Sequence, residues 1–163
     1  MSSFCINMLL FLVLTILVAA NPSTPTSSAP TPDQRNAWYT KWHVHVVNGL
    51  SNNKILFVHC KSADDDLEMN NLTVGSETEW TFRTTIIGKT LFWCYVASRS
   101  DHVHARFDVF WEDNDLFEKC AWKHCIWTAK DDGIYLMNVP QSDNEFVHNW
   151  EWDSGLLANS PIV

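Results

Sequence analysis

Glycine is scarce in this sequence, with five in 163 residues. That shortage argues against the glycine-rich loops that bring backbone N–H groups close to phosphates, and no nucleotide-binding motif is present. Cations are also few. Eleven Lys and Arg against 19 Asp and Glu give a formal charge of −8. Such a chain lacks the clustered positive charge that nucleic acids or anionic membranes require, and its charge favours solubility instead. The apolar run Met8–Ala20 covers thirteen residues, short of the roughly 20 needed to span a bilayer as a helix. No serine sits in a G-x-S-x-G elbow. No long segment repeats with a period of 3.6, so a helical bundle is not expected. Aromatic residues, by contrast, are plentiful: nine Trp and nine Phe within a 46% hydrophobic composition. That points to a β-rich fold with wide aromatic contacts.

The start of the chain reads as an export signal. Met8–Ala20 is uncharged, and Val18 and Ala20 are the small residues before a cut after Ala20. The one departure is the absence of Lys or Arg from Met1–Asn7. Residues 21–32, NPSTPTSSAPTP, have no large apolar group to bury and read as a linker. The expected organisation is a signal peptide at 1–20, a Pro/Ser/Thr-rich linker at 21–37, a globular domain at 38–152 and a tail at 153–163. The mature protein is then extracellular, without stable membrane insertion. Asn71-Leu72-Thr73 is an N-glycosylation sequon, expected on a loop.

Cysteine usage agrees with export. Cys5 leaves with the signal, and Cys60, Cys94, Cys120 and Cys125 remain. An even number in a small secreted domain implies two disulfides, with three possible connectivities. Long-range bridges closing loops of roughly 25 to 65 residues would each stabilise by about 3 to 4.5 kcal/mol. A zinc cluster would use closely spaced Cys pairs, whereas Cys60 and Cys94 stand alone.

The body reads as short strands. In residues 42–47, Trp42, Val44 and Val46 share one face, and Asn48–Asn53 follows as a turn cluster. Leu56, Val58 and Cys60 oppose Phe57 and His59, while Trp80 and Phe82 oppose Glu79, Thr81 and Arg83. Residues 90–96 are apolar on both faces, as in a central strand. Further strands are expected at 105–111, 120–128, 133–139 and 144–150, with Ser98–His104 and Glu112–Glu118 as polar loops. The predicted fold is all-β: a small antiparallel β-sandwich of seven or eight strands with two disulfides.

Catalytic and metal chemistry is thin. His43 and His45, like His102 and His104, are two apart and would share a strand face, the spacing of paired metal ligands. The first pair lies opposite Trp42 and Val44 and the second falls in a connection, so solvated surface histidines are expected and no metal. Asp64-Asp65-Asp66 lacks the alternating ligands and central Gly of a calcium loop and reads as a solvated turn. A Cys nucleophile beside His59 or His124 is conceivable, but disulfide bonding is favoured. No cofactor is implied. Most strand tryptophans are expected in the core, with Trp38, Trp150 and Trp152 the more exposed ones, able to stack on a sugar.

Several motifs together resemble a known family. Residues 42–50 resemble the opening strand and turn, h-V-x-V-x-N-x-L, of the plant self-incompatibility proteins, or S-protein homologues. His59 to Leu67 resembles that family's H-C-K-S-x-D-D-D-L run, with Glu68 where a Gly often follows. Gly75 with Trp80-Thr81-Phe82 is similar to its G…W-x-F element, and Thr90 to Cys94 to its T-x-F-x-C strand. Cys120, Cys125-Ile126-Trp127 and Asp132-Gly133-Ile134-Tyr135 resemble its closing pattern, and Phe146–Trp150 its terminal strand. The resemblance covers residues 42–150 and implies a secreted sandwich with two disulfides from those four cysteines and no enzymatic activity. It also implies a signalling ligand recognised by a plasma-membrane receptor, as in pollen rejection. The polar loops are the expected recognition surface: Asn48, Gly49, Ser51, Asn52 and Asn53; Ser98, Arg99, Ser100, Asp101 and His102; and Glu112, Asp113, Asn114 and Asp115. A monomer that binds no nucleic acid is expected. The competing reading is a carbohydrate- or cell-wall-binding module using exposed tryptophans.

Overall fold

The computed structural model describes residues 40–84 and 89–152. The signal peptide, the linker, Trp38 and the tail lie outside them. Alternation of apolar and polar residues produces the strands, because successive side chains on a strand point to opposite faces. In β1 (Lys41–Asn48), Trp42, Val44, Val46 and Asn48 are buried and their neighbours are not. The pattern repeats in β2 (Leu56–Lys61), β5 (Phe92–Ser98), β6 (Val103–Phe110), β7 (His124–Lys130) and β8 (Gly133–Asn138), while β4 (Glu77–Arg83) alternates half-buried with exposed residues. Three shorter or more exposed strands complete the set: β3 (Asn70–Leu72), β9 (Asp143–His148) and β10 (Glu151–Trp152).

These strands form two five-stranded sheets, ordered β4-β1-β7-β8-β9 and β10-β6-β5-β2-β3. Their inner faces supply one hydrophobic core that includes Trp42, Val58, Val96, Phe110 and Trp127. Aromatic rings meet between the sheets, with centroids 5.1 Å apart for Trp42 and Phe110 and 5.3 Å for Phe107 and Trp127. The all-β sandwich is therefore as expected from sequence, with two refinements. Among the described residues ten strands replace seven or eight, because β3 and β10 are too short to show a pattern of their own and hold on only at sheet edges. The sheets are also not wholly antiparallel, since β1 pairs with β7 in parallel, placing His43 opposite His124.

Two local expectations need correction. The segment Glu112–Glu118 is not simply a loop, because Asn114–Lys119 forms a short helix, α1. Asp113 caps it, its Oδ1 accepting from the amides of Asp115 at 2.9 Å and Leu116 at 3.2 Å. Leu116 and Phe117 anchor the helix in the core. Strand β5 is central in its sheet, yet only its inner face is covered, and Tyr95 remains 38% exposed on the outer one.

The disulfides are Cys60–Cys94 and Cys120–Cys125, separated by 34 and 5 positions. Of the three connectivities left open by the sequence, this is the one in which only the first bridge closes a long loop. Cys60 and Cys94 are direct partners across β2 and β5, within one sheet. Cys120–Cys125 ties the end of α1 to β7. Neither bridge crosses the sandwich. Loop-closure entropy predicts about 4 kcal/mol for Cys60–Cys94 and about 2 kcal/mol for Cys120–Cys125. Urea unfolding of the C60A/C94A and C120A/C125A double variants measures the difference. The reverse order would refute the entropic account.

Candidate functional site

Two of the three polar segments singled out from sequence come together. The β1–β2 turn and the β5–β6 turn lie at the same end of the sandwich, beside the β7–β8 connection. Lys54 joins all three: its Nζ is 3.1 Å from Asp101 Oδ2 and 3.0 Å from Asp131 Oδ1. Asp131 Oδ1 also accepts the amide of Ser51 at 3.3 Å. The hydrogen bonds to Asp131 and then Asp101 hold the Lys54 ammonium above its usual range. The same ammonium, with Ser51, holds the Asp131 carboxyl below its own. Sequence reading missed Lys54 and Asp131, because nothing local marks partners so distant in the chain. The third segment lies elsewhere. β6 runs from Val103 at this end to Phe110 at the other, so Glu112, Asp113, Asn114 and Asp115 occupy the far end. There Glu112 Oε1 accepts the Thr90 amide at 2.9 Å.

Within the Lys54 end, buried and exposed residues have different roles. Asn48 and Ser98 are fully buried, so they hold the loops rather than offer contacts. Asn48 Nδ2 donates to the carbonyls of Lys54 at 2.9 Å and Leu72 at 2.8 Å, and its Oδ1 accepts the Leu50 amide at 3.0 Å. Ser98 Oγ donates to Asp101 Oδ2 at 2.7 Å. Gly49 donates its amide to Ala129 O at 2.8 Å, and a Cβ there would lie 2.6 Å from Thr128 Cγ2, so only glycine permits this approach. Ser51, Asn52, Asn53, Arg99, Ser100 and His102 face solvent. Asn52, Asn53 and His102 hold left-handed backbone, with φ of 56°, 55° and 54°, a region that Asn tolerates better than most residues.

A shallow groove of about 350 Å³ adjoins this end on the outer face of the second sheet. Phe57, Tyr95, Arg99, His102 and His104 line it. The Arg99 guanidinium lies 5.9 Å from the Phe57 ring centroid, and Tyr95 stacks on His104 at 5.7 Å. Nearby Trp152 on β10 is 76% exposed, as expected. Trp150 is not the free platform expected from sequence, because it packs against the core and its Nε1 donates to Lys130 O at 2.8 Å.

All four domain cysteines are bridged, so neither His59 nor His124 has a thiol to activate. The acidic run is a built turn: Ser62 Oγ accepts the amides of Asp64 and Asp65, while Asp66 pairs with His59 at 2.6 Å and Lys61 at 2.7 Å. Those partners, Lys61 first, keep the Asp66 carboxyl below its ordinary range. Asn71 is exposed on edge strand β3 rather than on a loop. The two His-x-His pairs do not meet, since His102 and His104 belong to the second sheet's side. His43 and His45, on the outer face of the first sheet, instead meet His124, with ring centroids 4.7 and 5.5 Å away. They are half-buried rather than simply solvated.

Residues 43–150 match the family described as plant self-incompatibility protein S1. The chain is 44% identical over 112 residues to S-protein homolog 1 of Arabidopsis thaliana, covering 69% of this chain and 73% of that protein. It is 42% identical over 116 residues to S-protein homolog 74 of the same plant, covering 71% and 74%. Among solved structures it resembles an SPH (self-incompatibility protein homologue) protein, from a family described as widespread, small, highly stable and secreted from plants. The TM-score is 0.54 at 16% identity, covering 69% of this chain and 96% of that one. The chain belongs to the plant self-incompatibility protein S1 family.

Proposed function

We propose that this protein is a secreted, non-enzymatic signalling ligand, and that a plasma-membrane receptor recognises its Lys54 end. The observation that carries this reading is the way Lys54 fastens connections from both sheets beneath exposed polar residues. A surface fixed in advance loses little entropy when a partner binds. The net charge of −8 suits a basic receptor face, with charge acting more on association rate than on affinity. The ligand acts as a monomer. A glycan at Asn71 would cover edge strand β3 and block edge-to-edge pairing.

A second reading, carbohydrate or cell-wall binding, is favoured by the exposed Trp152 and the aromatic groove at Phe57 and Tyr95. One experiment separates the two. The mature, disulfide-bonded protein is crosslinked to intact plant cells, and captured surface proteins are identified by mass spectrometry. The ligand reading expects one specific membrane protein. Arg99→Glu should reduce its capture about 30-fold, the weight of an interfacial arginine hot spot of about 2 kcal/mol. Retention on wall polysaccharide with no membrane protein captured would replace the ligand reading with the second one.

A further inference from the structure

We propose that His43, His45 and His124 form a binding site for a divalent transition-metal ion of the zinc or copper class. The sheet itself assembles the site. His43 and His45, two apart on β1, share its outer face. The parallel register sets His124 of β7 directly opposite His43. The antiparallel register on the other side sets Glu79 of β4 opposite His45 and Glu77 opposite Val47. One ring nitrogen from each histidine lies within 4.8 Å of the other two.

The distances suit coordination. His45 Nε2 and His124 Nδ1 are 3.2 Å apart. With metal–nitrogen bonds of about 2.0–2.1 Å, nitrogens around a tetrahedral zinc lie about 3.3–3.4 Å apart. The widest separation therefore has to close by no more than about 1.5 Å, which side-chain rotation supplies. Carboxylates already orient two of the rings. His43 Nδ1 lies 2.6 Å from Glu79 Oε1, and His45 Nδ1 lies 3.3 Å from Glu77 Oε2. A carboxylate that accepts a hydrogen bond from Nδ1–H leaves the Nε2 lone pair free for a metal, the arrangement common to metal-bound histidines. Glu79 Oε1 is also 4.0 Å from His45 Nε2, so its negative charge lies beside the site. Three imidazoles select zinc, copper or nickel over calcium or magnesium, which prefer oxygen.

The test uses the mature protein with both disulfides formed, titrated with Zn²⁺ by calorimetry and with Co²⁺ by visible absorption. One ion per chain and the strong visible bands of four-coordinate cobalt are expected. His45→Gln and His124→Gln should each abolish both signals. Glu79→Gln should weaken binding about 10- to 100-fold, as loss of an outer-sphere partner does. His104→Gln, on the other sheet, should leave binding unchanged. Circular dichroism of the metal-free variants checks their folding, and His43→Gln stands in for His124→Gln if the latter misfolds beside Cys125. Absence of saturable binding, or binding that survives the β1 and β7 substitutions, would overturn the site.

Discussion

Replacing Trp127 by alanine is expected to cost about 3–5 kcal/mol, a large share of the 5–15 kcal/mol that holds a typical domain folded. Trp127 is fully buried on β7 and packs on Phe107 of the opposite sheet. Its Nε1 also donates to the carbonyl of Val109 at 2.9 Å. That carbonyl needs the bond for a definite reason. The β5–β6 register runs from Phe92↔Phe110 to Trp93↔Asp108, a bulge that leaves Val109 without an opposite residue. The tryptophan supplies from the facing sheet what the ladder omits. Trp127→Phe keeps most of the ring packing but orphans the carbonyl, at about 1–3 kcal/mol. Trp42→Phe provides the contrast. Trp42 is equally buried, but its Nε1 has no hydrogen-bond partner among the described residues, so only volume is lost. Denaturant unfolding followed by circular dichroism should rank Trp127→Ala as most costly, then Trp127→Phe, then Trp42→Phe. Equal losses for the two phenylalanine variants would mean that the bond between the sheets contributes nothing.

Asn48→Ala should have an effect of similar size and a different consequence. The substitution removes the Asn48 partner from one buried carbonyl, one part-buried carbonyl and one buried amide, at about 1–3 kcal/mol for each buried group. The loss falls on the segment bearing Lys54, so the recognition end should loosen before the rest of the sandwich does. Amide hydrogen exchange is expected to rise first in residues 49–55. Capture by plant cells should fall under conditions where circular dichroism still reports a folded protein. Asn48→Asp should be no better, because a carboxylate replaces the amide donor and faces two carbonyl oxygens. An aspartate variant as stable as the parent would show that the donor half of this side chain is dispensable.

The faces of β1, β2 and β4 were legible because alternation over six to eight residues is a local signal. That signal alone identifies their inner residues, from Trp42 to Phe82. Six motifs between Trp42 and Trp150, in order and at matching spacing, likewise carried the resemblance to the family. The helix α1 does carry a local signal, an Asp cap followed by the apolar pair Leu116-Phe117. Disulfide pairing, the Lys54 junction and the meeting of His124 with His43 left none. Each depends on strands brought together from far apart, and residue spacing does not encode that register. His43 and His124 stand 81 positions apart (43 to 124), so nothing in the His43-x-His45 spacing points to the third histidine.

The parallel pairing of β1 with β7 also sets a timetable. Ribosomes add about 5–20 residues per second, so β7 follows β1 after roughly 4–16 seconds. In that interval β2, β5 and β6, which are joined by antiparallel pairing, can assemble in the order of their synthesis. β1 meanwhile has only β4 beside it, and its Trp42, Val44 and Val46 lack the strand that completes the middle of their sheet. The first strand to be made is thus among the last to be enclosed. Any chain that ends before Trp127 carries that apolar edge open.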